Sequence, residues 1–245
     1  LLPLALLAGV LGVLGALAAQ TLARLVAYLT VSSLGTILAS VALFTPGTLS
    51  AAMYYTLHST IVIAGLFLLV ELMSAQRGEM RDRLQSAHAV REPVLLGMMM
   101  LFGAASVAGL PPLPGFLGKL MVLEASGGLT AQVWIWSVVL VVGFLTLVGL
   151  ARAGVIVFWH VQPTTDASAS GSSQRLLAPV WVFMALALAL AVFASPVKRY
   201  TDAAAAQLTR PADYVRAVLG ADAAGRSTTR AYDGQRAVPT QEKAP

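Results

Sequence analysis

The sequence has no cysteine, which excludes disulfides and thiolate chemistry. Charge is scarce: 11% of the 245 residues are Asp, Glu, Lys or Arg, against about 25% in a soluble domain. Only three residues are histidine. There is no metal-ligand spacing, paired carboxylate, phosphate loop or nucleophile elbow. Catalysis of the soluble type therefore has no residues to carry it, and neither metal nor cofactor is expected. The net charge of +5 does not point to nucleic acid. The basic residues sit at the edges of apolar runs and in the C-terminal stretch, not in a basic stripe interleaved with aromatics. No signal peptide is visible.

What is present is apolar: 58% of residues are hydrophobic, gathered into long runs nearly free of charge. Runs of roughly 18 or more such residues are what a bilayer core demands. The expected fold is an all-α integral membrane protein with about six transmembrane helices. The spans are expected near 1–19, 24–44, 51–73, 93–125, 131–158 and 177–195, forming a transmembrane domain over 1–195. A polar tail, 196–245, follows, with a short surface helix over Asp202–Leu219 and disorder beyond Gly220. The chain opens at Leu1, without Met and already inside an apolar run, so it is expected to continue on the N-terminal side. In the first span Gly9, Gly12 and Gly15 make a small-residue stripe, along which another helix can approach closely. Pro46-Gly47 is expected to turn between the second and third spans. Ser74–Glu92 is a charged loop, and Thr164–Ser173 is a Ser/Thr/Ala/Gly-rich linker. Arg24 and the arginines of the charged loop fall on one side, which the positive-inside rule makes cytoplasmic. Trp134, Trp136 and Trp159 mark the ends of the fifth span.

The fourth span is the unusual one. Pro111, Pro112, Pro114 and Gly115 break any helix. The apolar piece after them, Phe116 to Ala125, makes only about 15 Å of helix, half of a bilayer core of about 30 Å. Residues 93–125 are thus expected to form one span of two half-helices around an unwound centre, with Gly118 in the second half. Irregular backbone at that depth is tolerated where it is buried in protein or lines a wet cavity, and it recurs in ion-coupled transporters.

Lys119 lies in the second half-helix and is the only lysine before Lys198. A charge at bilayer depth costs from about 2.5 kcal/mol upward, so a lysine there is suited to giving up and regaining a proton. The competing reading is a lysine that snorkels to the interface. Glu124, five positions on, is either a loose partner of Lys119 or an interfacial carboxylate. His58, inside the third span, can both give and take a proton, or can be a buried hydrogen-bonded histidine. Ser32, Ser33 and Thr36 can support a water chain or bond between helices. Arg24, Glu71 and Arg152 lie near span ends as interfacial charges.

Several stretches carry a resemblance. They are Arg24-Leu-Val-Ala-Tyr28 with Ser32-Ser33-Leu34-Gly35; Tyr54-Tyr55-Thr-Leu-His58-Ser-Thr60; and Gln76-Arg77-Gly78-Glu79 with Asp82-Arg83-Leu84. To these add Gly109-Leu-Pro-Pro-Leu-Pro-Gly-Phe-Leu-Gly-Lys119 and Leu150-Ala-Arg-Ala-Gly154 with Phe158-Trp159. Together they resemble the antiporter-like membrane subunits shared by respiratory complex I and the multisubunit Mrp (Mnh, Pha) cation/proton antiporters, and among the latter the D-type subunits in particular. The resemblance implies a fourteen-span fold with two inverted five-helix repeats, of which this chain matches the second repeat and the final helix. It maps the family's broken-helix lysine onto Lys119 and its histidine onto His58. The implied function is monovalent cation/proton antiport in a bacterial inner membrane, with Na⁺ or K⁺ exchanged for protons. The implied partners are other small and large membrane subunits and the lipid bilayer. The alternative is the proton-pumping membrane subunit of an NADH:quinone oxidoreductase or membrane hydrogenase. Where many relatives begin the second-span motif with an Asp-x-Lys-Arg run, this chain has Thr21-Leu22-Ala23-Arg24.

Overall fold

The computed structural model describes residues 1–88, 90–162 and 174–210. It is built of helices: α1 (Leu2–Ala18), α2 (Leu22–Leu43), α3 (Pro46–Gln76), α4 (Pro93–Ala108), α5 (Pro114–Ala125), α6 (Gln132–Phe158), α7 (Gln174–Val192) and α8 (Ala194–Leu208). A 3₁₀ turn spans Gly78–Met80, and two short strands, β1 (Ala87–His88) and β2 (Val161–Gln162), pair in parallel. Leu1–Ala205 form one compact unit; of the second, Ala206–Pro245, only the last residues of α8 and its end at 209–210 are described. The expected linker at Thr164–Ser173 and the expected disorder beyond Gly220 lie outside the described residues.

Three helices, α2, α3 and α6, are each long and apolar enough to cross a bilayer. The apolar helices α1 and α4 are shorter, and α7 and α8 meet at a 77° bend. The glycine stripe of α1 does what its spacing predicts. A Cβ on Gly12 would lie 2.8 Å from Ser32 Cα, and one on Gly35 would lie 2.6 Å from Gly9 Cα. The two backbones touch there, which only glycine permits. The opposite side of α1 presents Leu4, Leu7, Leu11 and Leu14, each 49–69% exposed, as a lipid-facing side would.

Two ends of the bundle are defined by their contacts. At one, the α1–α2 turn bridges the loop after α3, with Leu22 N–H donating to Asp82 O at 2.8 Å and Leu84 N–H to Gln20 O at 2.9 Å. The β1–β2 pair joins the segment before α4 to the segment after α6 at the same end. At the other end, Trp136 at the start of α6 donates to Leu123 O, 3.0 Å away at the end of α5. So α4 and α5 together run from one end to the other, and α6 returns. This is the path expected of a single broken span.

Several boundaries differ from expectation. Pro46-Gly47 is not a turn. The reversal falls at Phe44, in the left-handed region with φ 51°, and Thr45 caps α3 through a reciprocal pair of bonds with Thr48. Pro46 is then the first helical residue, where its missing N–H costs nothing. At its far end α3 continues to Gln76, so the charged loop starts later than Ser74. The C-terminal surface helix begins at Ala194, not Asp202. Asp202 is a mid-helix residue paired one turn back with Lys198 at 2.7 Å. That pairing, together with four consecutive alanines after Asp202, favours helix earlier than the polarity alone suggests.

Candidate functional site

The site is assembled by the failure of one helix to continue. In a regular helix the carbonyls of Val107 and Ala108 would accept from the N–H groups of residues 111 and 112. Both of these are proline, with no N–H to give. The chain instead closes α4 with Gly109 at φ 86°, whose N–H returns to Ala105 O at 3.0 Å. That leaves two carbonyls bare, and Lys119 takes both. Its Nζ donates to Val107 O at 3.0 Å and to Ala108 O at 2.7 Å.

The C-terminal end of α4 carries the negative pole of its helix dipole, so it suits a cation. No carboxylate among the described residues forms a salt bridge with Lys119. Glu124 is exposed and turned to another side of α5, so the loose Lys119–Glu124 pairing weighed from the sequence does not form. An ammonium compensated only by dipoles can lose its proton without leaving a carboxylate stranded. Beside it lies a cavity of about 250 Å³, lined by Lys119, Gly109, Phe116, Val139, Gly143 and Phe144 among others.

His58 is 1% exposed and lies against Gly115 of α5. A Cβ on Gly115 would lie 2.8 Å from His58 Nε2 and would run into the Ser106 carbonyl. Gly115 is thus required by crowding, and Gly118 likewise lets Tyr55 approach, 2.8 Å from where its Cβ would be. Pro114 and Gly115 are buried, whereas Pro111 and Pro112 are exposed.

From His58 the polar track continues into α2. The Tyr55 ring lies 5.6 Å from the imidazole, centroid to centroid. Its side chain hydrogen-bonds Ser33 and Thr36. The structure therefore gathers Lys119, His58, Ser33 and Thr36 along one track. Ser32 is not on it: its hydroxyl donates to Gly9 O at 3.0 Å and holds α1 against α2. Arg24 and Glu71 are exposed. Arg152 is exposed as well, and its guanidinium donates to Leu17 O at 2.6 Å, at the end of α1. Tyr55 and Ser106 were not anticipated. Tyr55 stands three residues before His58, the helical spacing that puts two side chains on one face.

Comparison with known proteins defines the class first. The family described as NADH:quinone oxidoreductase/Mrp antiporter, TM, matches residues 1–149, and the chain belongs to it. Within that family the chain is 32% identical over 216 residues to the D subunit of the Na⁺/H⁺ antiporter of Bacillus subtilis (strain 168), covering 88% of this chain and 43% of the relative. It is 30% identical over 246 residues to the D subunit of a probable K⁺/H⁺ antiporter of Rhizobium meliloti (strain 1021), covering 87% and 44%. Among solved structures it is similar to a chain of the Mrp complex from Dietzia sp. DQ12-45-1b, with a TM-score of 0.75 and 26% identity, covering 89% of this chain and 49% of that one. The chain spans less than half the length of these curated relatives.

Proposed function

We propose that this chain carries one proton-translocating half of a monovalent cation/proton antiporter subunit in a bacterial inner membrane. The observation that carries the reading is the Lys119 ammonium, held by Val107 O and Ala108 O at the break. In this reading, protons reach Lys119 from the adjoining cavity and pass by way of His58, Tyr55, Ser33 and Thr36. Release of the proton frees the two carbonyls and lets the amine swing toward the cavity. The six-span arrangement over 1–195 supplies the scaffold, with the broken α4–α5 pair as its fourth span. Other membrane subunits and the bilayer complete the assembly. In this reading the chain acts as part of a transporter subunit, which the printed names of its D-subunit relatives support.

The test is cation/proton exchange in inverted vesicles that contain the complete assembly, with sodium or potassium added. Lys119→Ala is expected to abolish exchange while the assembly stays intact. Undiminished exchange in that variant sinks the proposal. The pumping arm of a quinone-reducing or hydrogenase complex is the other reading, favoured by the shared family. Purification separates the two, because that complex brings iron–sulfur or flavin subunits with it.

A further inference from the structure

At the end of the bundle that carries the charged loop, α1 and α2 do not fill the space between them. Ala18 and Ala19 on one side and Ala27 on the other are too small, and a hollow of about 500 Å³ remains. Tyr28 forms one wall, its ring laid on Gly15, where a Cβ would lie 2.6 Å from Tyr28 Cε1. Gln20 and Arg24 supply the polar lining. Arg24 is exposed, and its guanidinium has no hydrogen bond or ion pair among the described residues. Asp82 does not neutralise it: that carboxylate accepts from Ala23 N–H at 3.3 Å, at the start of α2. Arg83, also exposed, is bridged through its backbone to Thr21, so a second guanidinium starts from the same turn. No carboxylate lines the hollow.

From Arg24 inward the same side of α2 is apolar and uncovered. Tyr28, Val31, Leu34 and Leu38 are 40–49% exposed, and their spacing of three or four residues makes one stripe. Arg24 to Leu34 is about 15 Å of helix, half of a bilayer core of about 30 Å. We infer that the hollow binds an anionic phospholipid, with its phosphate on Arg24 and an acyl chain laid along Tyr28, Val31 and Leu34. The guanidinium presents paired N–H donors that match a phosphate, and the Gln20 amide and Tyr28 hydroxyl can donate to the ester oxygens. Basic pockets between spans on the cytoplasmic side recognise anionic headgroups in this way. An amine-bearing headgroup finds no carboxylate there to hold its ammonium. A free phosphate would gain the arginine but nothing from the apolar stripe, so the source is the lipid. The site does not depend on Lys119 moving a proton.

The experiment places the complete assembly in phosphatidylcholine vesicles that contain a little phosphatidylglycerol with a photoactivatable acyl chain. After illumination, mass spectrometry of peptides locates the crosslinks, which are expected between Tyr28 and Leu34. Arg24→Gln lowers them about fivefold, the loss expected of one basic residue at a membrane surface. Ala27→Leu keeps the arginine but fills the hollow from an exposed position, and lowers them as well. Arg199→Gln, which removes an exposed arginine of α8, leaves them unchanged. Photoactivatable phosphatidylcholine labels this stripe no more than it labels Leu4 and Leu7 of α1. Equal labelling by the two lipids overturns the inference, as does labelling unaltered in either Arg24→Gln or Ala27→Leu. Absence of labelling overturns it too, because protein then covers the crevice. Added inorganic phosphate should not compete; if it removes the crosslinks, the site takes phosphate and the lipid assignment is wrong. Should Arg24→Gln fail to assemble, Ala27→Leu and the comparison of the two lipids still decide.

Discussion

Arg77 and Lys119 are two cations bound by bare carbonyls, and they do opposite work. Arg77 caps α3 and is 1% exposed. Its guanidinium donates to Arg81 O at 2.9 Å, Arg83 O at 2.8 Å and Gln85 O at 2.8 Å. Guanidinium does not deprotonate in proteins, and its fixed fork suits several carbonyls at once. It is a permanent clasp, and it shapes the loop that bridges to the α1–α2 turn. Lys119 has two carbonyl partners, a compact head and a flexible stem, and its group can lose a proton. One arrangement fixes backbone; the other holds a charge that can leave.

Exchanging the two residue types breaks this comparison most sharply. Lys119→Arg keeps the charge and the acceptors but cannot release a proton. Exchange is expected to fall at least about 100-fold with the assembly intact; appreciable exchange in vesicles would show that Lys119 only balances charge. Arg77→Lys keeps the charge but loses the fork. Buried carbonyls left without donors at about 1–3 kcal/mol each predict a loss of about 2–4 kcal/mol in stability. Denaturant unfolding in detergent measures this, and exchange per assembled complex stays near wild type.

A smaller change sharpens the lysine half. Pro112→Ala supplies the N–H that a helix would direct at Ala108 O, the shorter of the two Lys119 bonds at 2.7 Å. The new donor competes with the ammonium. Exchange is expected to drop about threefold to tenfold, with stability unchanged or slightly raised, because a proline has left a potential helical turn. An unaltered rate would mean that the amine does not depend on that carbonyl.

The break and its lysine were legible in the sequence because both are rule violations: prolines in an apolar run and a lone cation at bilayer depth. The α1–α2 contact was legible too, since glycine spacing states directly where a backbone can approach. The rest was not. Helices that are apolar all round give no periodic signal for which side meets which neighbour, so Ser32 and Ser33 looked equivalent although one bonds Gly9 and the other Tyr55. Arg77 read as one more loop arginine, because burial in a loop is set by how that loop folds back on itself.

A third cation completes the comparison. Lys198 has what Lys119 lacks, a carboxylate: Asp202 at 2.7 Å, with the two side chains 45% and 44% exposed. Asp202 also accepts from Ser50 of α3 at 2.6 Å, so the pair fastens the polar helix α8 to the bundle. Hydrogen bonds from Lys198 and Ser50 hold the Asp202 carboxyl below its usual range, and partial burial opposes them. A depressed folded pKa means that the stabilisation is present at neutral pH and is lost as pH falls through that folded value, below the ordinary carboxylate range. Exposed pairs contribute little, so this is the smallest effect expected. Asp202→Asn should lower the thermal midpoint by no more than about 2 °C at pH 7. The difference from wild type should vanish in acid, where wild type is itself protonated. A difference that persists in acid would show that the Ser50 contact, not the charge, fastens α8, and exchange through the α4–α5 break should be the same in either case.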